Sequence, residues 1–66
     1  MGADRPDPEV DARWLRELAE RVAGADRADD AAQDAWAAAM EAPAPRGDRR
    51  AWLAGILRNR VRLARR

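Results

Sequence analysis

The sequence predicts an all-α fold, a small three-helix bundle with a Pro- and Gly-rich loop before its last, basic helix. Three segments carry apolar residues at helical spacing, and turn or helix-breaking residues separate them. No segment alternates apolar and polar residues as a half-buried strand does. With 66 residues, the chain is long enough for one domain only. We therefore expect a single domain over residues 1–66, with residues 1–7 disordered.

The first predicted helix begins at Asp7 and Pro8, where a capping carboxylate precedes a proline whose missing N–H costs nothing in the first turn. Gly24 ends it as a C-terminal cap. Its apolar residues at helical spacing are Val10, Trp14, Leu15, Leu18 and Val22.

The second helix is predicted to be capped by Asp26, with Asp29 and Asp30 at the positive end of its dipole. Its inward stripe is made mostly of small residues, which allow another helix to approach closely. That stripe comprises Ala28, Ala32, Ala35, Trp36, Ala39 and Met40. A different face carries Asp30, Gln33, Asp34, Ala37 and Glu41.

The loop over 42–50, "APAPRGDRR", excludes helix continuation, and Asp48 caps the third helix. One arc of that helix is apolar: Trp52, Leu53, Ile56, Leu57, Leu63 and Ala64. The opposite arc is polar: Arg58, Asn59, Arg62, Arg65 and Arg66. Gly55 lies within the polar arc, where a bare backbone lets another molecule approach. Arg60 projects toward the apolar side and must extend its guanidinium outward. We expect the three tryptophans, one on each helix, to pack in the core.

Composition excludes several classes of function. The chain has no cysteine and no histidine, so it lacks the commonest metal ligands and the commonest general base. We expect no metal, no cofactor and no catalytic residue, since a bundle this small offers no evident pocket. No apolar run is long enough to span a membrane, and the first ten residues lack a signal peptide's apolar segment. These features predict a cytoplasmic protein that is not an enzyme.

The charge is strongly divided along the chain. Residues 1–45 contain five arginines and eleven acids, for a net charge of −6, whereas residues 46–66 contain eight arginines and one acid, for +7. Closely spaced arginines without partners repel one another, and a polyanion relieves that repulsion with release of counterions. An anionic membrane surface is the alternative, but the helix needs its apolar face for the core, so it is not free to insert. We therefore favour nucleic acid over membrane, and a merely solvated surface is the simplest alternative.

Two segments in order, "ADDAAQDAWAAAMEA" and "RAWLAGILRNRVRLARR", resemble region 2 of bacterial sigma factors of the extracytoplasmic-function (ECF) group. The first half matches at Ala28, Asp29, Asp30, Gln33, Asp34 and Trp36. The second half matches at Arg50, Trp52, Leu53, Ile56, Arg58 and Asn59. The sequence departs from the family at Leu63, where an Asp is frequent, and at Ala31 and Ala32, where larger residues are expected, so a thinner core follows. Region 4, the second module of a complete factor, has no counterpart in this sequence.

The resemblance implies transcription initiation with two partners, the RNA polymerase core and promoter DNA. The second helix of the family docks on the clamp helices of the polymerase, which implies polymerase-binding roles for Asp30, Gln33, Asp34 and Glu41. The loop that follows holds a flipped base of the minus-ten element, and the last helix contacts melted, single-stranded non-template DNA. The implied DNA-binding residues are Arg46, Arg49, Arg50, Trp52, Arg58, Asn59, Arg62 and Arg65. An anti-sigma factor is a further expected partner. The alternative is a protein-interaction module without DNA binding, either a sigma mimic that binds an anti-sigma factor or a helical docking domain.

Overall fold

Three α-helices that each contact the other two form the fold, α1 (Pro8–Ala23), α2 (Ala28–Glu41) and α3 (Arg49–Ala64). This computed structural model describes residues 8–43 and 45–65, and within them there is no strand. A single 3₁₀ turn, Ala25–Arg27, links α1 to α2. The prediction of an all-α three-helix bundle is confirmed. The predictions for residues 1–7, including Asp7 as a cap, and for Arg66 lie outside the described residues.

Two predicted helix ends are confirmed. The N–H of Gly24 donates to the Glu20 carbonyl at 2.9 Å, and Gly24 has a φ of 92°, a conformation that side-chain-bearing residues rarely adopt. Asp48 caps α3, because its carboxylate accepts a hydrogen bond from the Arg50 N–H at 3.0 Å. The first cap fixes where α1 stops, and the second fixes where α3 leaves the loop.

The prediction that Asp26 caps α2 is wrong. The Arg27 N–H bonds to the Gly24 carbonyl at 3.2 Å and closes the 3₁₀ turn, so Asp26 lies inside that turn. Arg27 takes the N-cap position of α2 without a side-chain hydrogen bond. Asp29 and Asp30 do lie in the first turn of α2, as expected, where carboxylates interact favourably with the helix dipole.

The core is built from leucines and alanines. Leu15, Leu53 and Leu57 are its largest fully buried side chains. The other buried apolar residues are Ala19, Ala28, Ala32, Ala35, Ala39 and Val61. The four alanines of α2 belong to the predicted inward stripe, and their small side chains allow α2 to approach the other helices closely. Of the two alanines that replace larger family residues, Ala32 is buried and Ala31 is partly buried.

Several predicted core positions lie outside the core. The buried line of α3 runs through Leu53, Leu57 and Val61, and its spacing of four residues turns the buried side away from Leu63. Leu63 is 48% exposed and Ala64 is exposed, so their assignment to the core is wrong. Met40, in the last turn of α2, is 85% exposed, because an open cleft and not a helix faces it.

Most of the predicted apolar stripe of α1 is confirmed, since Leu15 is buried and Trp14, Leu18 and Val22 pack against the core. The buried residues of α1 are Asp11, Leu15 and Ala19, while Val10 is 50% exposed. The three tryptophans are partly buried and pack against the core from its edge rather than filling it. Each indole therefore keeps an exposed part that another molecule can contact.

Candidate nucleic-acid interface

The outward side of α3 presents a row of polar side chains, which we call the arginine face: Arg58, Asn59 and Arg62. All three are exposed. Within the part of the chain that the structure describes, neither arginine forms an ion pair. Arg65 is exposed as well and donates a hydrogen bond to the Val22 carbonyl at 3.3 Å, so it is tied to the end of α1. The arginine face therefore offers two guanidinium groups and an amide to a ligand.

The two arginines at the start of α3 are held by a carboxylate of α1. Asp11 is only 6% exposed. The Arg49 Nε lies 3.1 Å from one of its oxygens, and the Arg50 Nε lies 3.8 Å from the other. The Arg50 guanidinium also lies over the Trp14 ring, 5.1 Å from its centroid, in a cation–π contact. These contacts reduce the positive charge that Arg49 and Arg50 present to a ligand.

An apolar cleft of about 250 Å³ lies where α2, the loop and α3 meet. Trp36 and Met40 line it from α2, Pro45 from the loop, and Arg49 and Trp52 from α3. Flat indole surfaces with a guanidinium beside them are suited to a nucleobase and its phosphate. Arg46, in the same loop, is exposed.

The acidic face of α2, defined as Asp30, Gln33, Asp34 and Glu41, is exposed except for Asp34, which is half-buried. Arg60 of α3 donates two hydrogen bonds to the Asp34 carboxylate, at 2.8 and 3.0 Å. These bonds lower the pKa of Asp34 from its ordinary value, and the carboxylate raises the pKa of Arg60. Arg60 thus reaches outward from the apolar side of α3, as predicted, and its guanidinium bonds to α2.

A second, larger cleft of about 600 Å³ adjoins this ion pair. Asp30 and Asp34 line it from α2, and Arg60 and Val61 from α3. Among the described residues, no group of three or more acidic side chains is arranged to hold a metal ion. The cleft therefore places part of the acidic face at the rim of a groove.

Three residues of this interface were not predicted from the sequence. Asp11 interrupts the apolar stripe one turn before Leu15, and a carboxylate at a core position is the signal that could have indicated a pairing with arginine. Trp36 and Met40 were assigned to the core, yet they line the cleft at the loop. The proline-rich loop after α2 was the available signal, since it keeps α3 from covering the last turn of α2.

The exposed arginine face on the last helix of an all-α bundle is the kind of basic surface that nucleic-acid-binding helical domains present. The profile of the Sigma-70 region 2 family matches residues 10–66, so the chain belongs to that family. No curated protein and no solved structure gave a significant match to the chain. No helix in the described part of the chain has the length and apolarity needed to cross a membrane.

Membership of the family gives the chain a sigma-factor-like role in transcription initiation. Region 2 is a non-enzymatic transcription factor domain. The partners of the family are the RNA polymerase core and promoter DNA.

Proposed function

We propose that this domain is of the ECF type and that it docks on the polymerase clamp helices through its acidic face. Through α3 and the preceding loop, it recognises and melts the minus-ten promoter element. The observation that carries the proposal is the exposed arginine face on one helix and the exposed acidic face on another. A domain with this role acts in the cytoplasm, beside the polymerase.

The arginine face supports the DNA half of the proposal. Taking a base out of a duplex costs about a few kcal/mol. A protein offsets that cost by binding the exposed strand with cations along the phosphates and planar groups against the bases. Arg58 and Arg62 supply the cations, and Asn59, beside them on the arginine face, can donate to and accept from a base edge.

The apolar cleft supports a role for the loop in holding a base. It lies between Trp36 and Trp52, and both indoles are only partly buried, so a planar ligand has access to aromatic surface. Arg49 lies at the same cleft and can contact a phosphate beside the base. Because Asp11 already pairs with Arg49 and Arg50, we expect these two arginines to contribute less to affinity than Arg58 and Arg62.

The acidic face supports the polymerase half of the proposal, with one refinement. A basic surface of the clamp helices that binds Asp34 must compete with Arg60 for the same carboxylate. Asp30, Gln33 and Glu41 are exposed and need no such exchange. We therefore expect Asp30 and Glu41 to contribute most of the charge attraction to the clamp.

The DNA half is tested by reversing charge on the arginine face. The double variant Arg58→Glu with Arg62→Glu is titrated with a fluorescent single-stranded promoter oligonucleotide, and we expect binding to be abolished. The control, Arg13→Glu with Arg21→Glu, changes the net charge equally at two exposed positions of α1. Equal binding by wild type and the α3 variant would show that the arginine face is only solvated surface.

The polymerase half is tested by Asp30→Arg with Glu41→Arg, which leaves the Asp34–Arg60 pair in place. We expect weaker capture of the domain by immobilised polymerase core without any loss of single-stranded DNA binding, since the added positive charge can only favour a polyanion. Glu17→Arg with Asp26→Arg makes the same change of charge at exposed positions away from the acidic face. Capture of the α2 variant at the wild-type level would remove the assignment of this face.

One observation favours the alternative of a protein-interaction module without DNA binding. Three arginines of the basic segment, Arg49, Arg50 and Arg60, already lie beside carboxylates of the same chain. A sigma mimic that binds an anti-sigma factor, or a helical docking domain, needs the helix surfaces but not the arginine face. In that case the Arg58 and Arg62 double variant retains every partner that the wild type binds.

A further inference from the structure

Gly55 is a glycine in the middle of a helix that does not require one. It lies within α3, it is exposed, and its φ is not positive, unlike that of Gly24. Apart from its chain neighbours and the nearby backbone of α3, a Cβ built at Gly55 meets no atom of the described residues within 4 Å, so the fold leaves room for a side chain. The conformation and the packing of the chain therefore give no reason for glycine at this position.

The glycine lowers the stability of a protein that has little to spare. Glycine in a helix interior is among the least favourable residues because of the backbone freedom that it loses on folding. The core here is thin, with three large fully buried side chains and many alanines. A stability cost without an internal benefit indicates that the bare backbone is used by something outside the chain.

The location of Gly55 indicates what approaches it. Asn59 and Arg62 follow it by one and two turns on the same side of α3, and Arg58 lies beside them. These three residues form the arginine face, and all of them are exposed. Neither of its arginines forms an ion pair within residues 8–43 and 45–65. Trp52 lies one turn before Gly55 and lines the apolar cleft. The bare backbone thus lies between the aromatic cleft and the two free guanidinium groups.

We propose that Gly55 is the point at which the sugar–phosphate backbone of a bound single strand comes closest to α3. The strand passes from the cleft at Trp52 to Arg58 and Arg62, and a side chain at position 55 would hold it away from the helix. This inference rests on the proposed DNA-binding function and adds a positioning residue to it. The absence of a side chain, rather than a charge, is what Gly55 contributes.

The inference is tested by adding side chains of increasing size, Gly55→Ala and Gly55→Leu, in the full chain. Thermal unfolding is followed by circular dichroism, and binding of a fluorescein-labelled, mixed-sequence 15-nucleotide single strand is followed by anisotropy. We expect Gly55→Ala to raise the Tm by about 2 to 8 °C, since alanine is the better helix former. We expect the same variant to weaken DNA binding about fivefold, and Gly55→Leu to weaken it further. Ala37→Leu, which adds bulk at an exposed position of α2, should leave the Kd within about twofold.

Stability and binding therefore move in opposite directions, which a purely structural role of Gly55 does not predict. Unchanged or tighter binding by the more stable Gly55→Ala variant would overturn the inference. A lower Tm for that variant would also overturn it, since the fold itself would then need the glycine. The proposed function fails separately, if Arg58→Gln with Arg62→Gln binds the strand as the wild type does. A wild-type chain that does not bind the strand at all would overturn both.

Discussion

Replacing Arg58 and Arg62 by glutamine removes two exposed guanidinium groups while keeping polar side chains of similar length. Neither arginine has an ion-pair partner among the described residues, so the loss of a phosphate contact is not confounded by a broken ion pair. Each phosphate neutralised on a single strand contributes about 0.7 to the slope of log K against log salt. The double variant should therefore have a slope smaller by about 1.4. With equal binding by the two proteins at 1 M salt, that difference corresponds to about 25-fold weaker binding at 0.1 M salt and about fivefold at 0.3 M.

The assay is anisotropy of a labelled single strand at four or five salt concentrations. The matched control is Arg13→Gln with Arg21→Gln, which removes the same charge from exposed positions of α1. If the two double variants lose affinity equally, the effect is one of net charge and the arginine face has no specific role. A variant that binds more weakly but keeps the wild-type slope would also refute the reasoning, since phosphate contacts must change the slope.

Three further predictions concern stability. Asp48→Ala removes the cap of α3 and should cost about 1 kcal/mol, measured by urea unfolding; an unchanged midpoint would contradict the role of the cap. Leu57→Ala leaves a cavity in the core that it shares with Leu53 and should lower the free energy of unfolding by about 2–5 kcal/mol; a urea midpoint like that of the wild type would contradict the packing. Arg60 lowers the pKa of Asp34 below its ordinary value of 3.8. The stability that the ion pair contributes is therefore fully present above pH 3.8, and it is lost as the pH falls through the lowered pKa of the folded protein. Asp34→Asn should therefore flatten the acid side of the stability profile, and an unchanged profile would contradict the pair's contribution.

The sequence was sufficient for the number of helices and for most of their ends, because these depend on local chemistry. Gly24 and Asp48 act within one turn of their own position, and each has the predicted role in the structure. The alanine stripe of α2 was also predictable, since a helix fixes which residues share a face. The cap of α2 was not, because the 3₁₀ turn that displaces Asp26 depends on how Gly24 directs the chain toward the next helix.

The site depends on contacts between distant segments, and these were not predictable from spacing alone. Asp11 and Arg49 are far apart in the sequence, and the bundle brings the Arg49 Nε to 3.1 Å from a carboxylate oxygen of Asp11. Asp34 and Arg60 meet only because α2 and α3 pack side by side. Val61 is buried and Leu63 is exposed because the buried line of α3 depends on where α1 and α2 contact it. The cleft at Trp36 likewise depends on the path of the loop and not on the helix that carries the indole.

The most direct measurement is photo-crosslinking of the domain in a mixture of polymerase core and promoter DNA. A benzophenone amino acid is introduced at Ala37, on the same side of α2 as the acidic face, or at Ala51 on α3; both positions are exposed, and neither substitution replaces a residue of the acidic face or the arginine face. We expect the probe on α2 to crosslink to the clamp helices of the largest polymerase subunit and the probe on α3 to crosslink to the non-template strand. Both probes crosslinking to the same partner, or the α3 probe to protein alone, would contradict the division of the two surfaces.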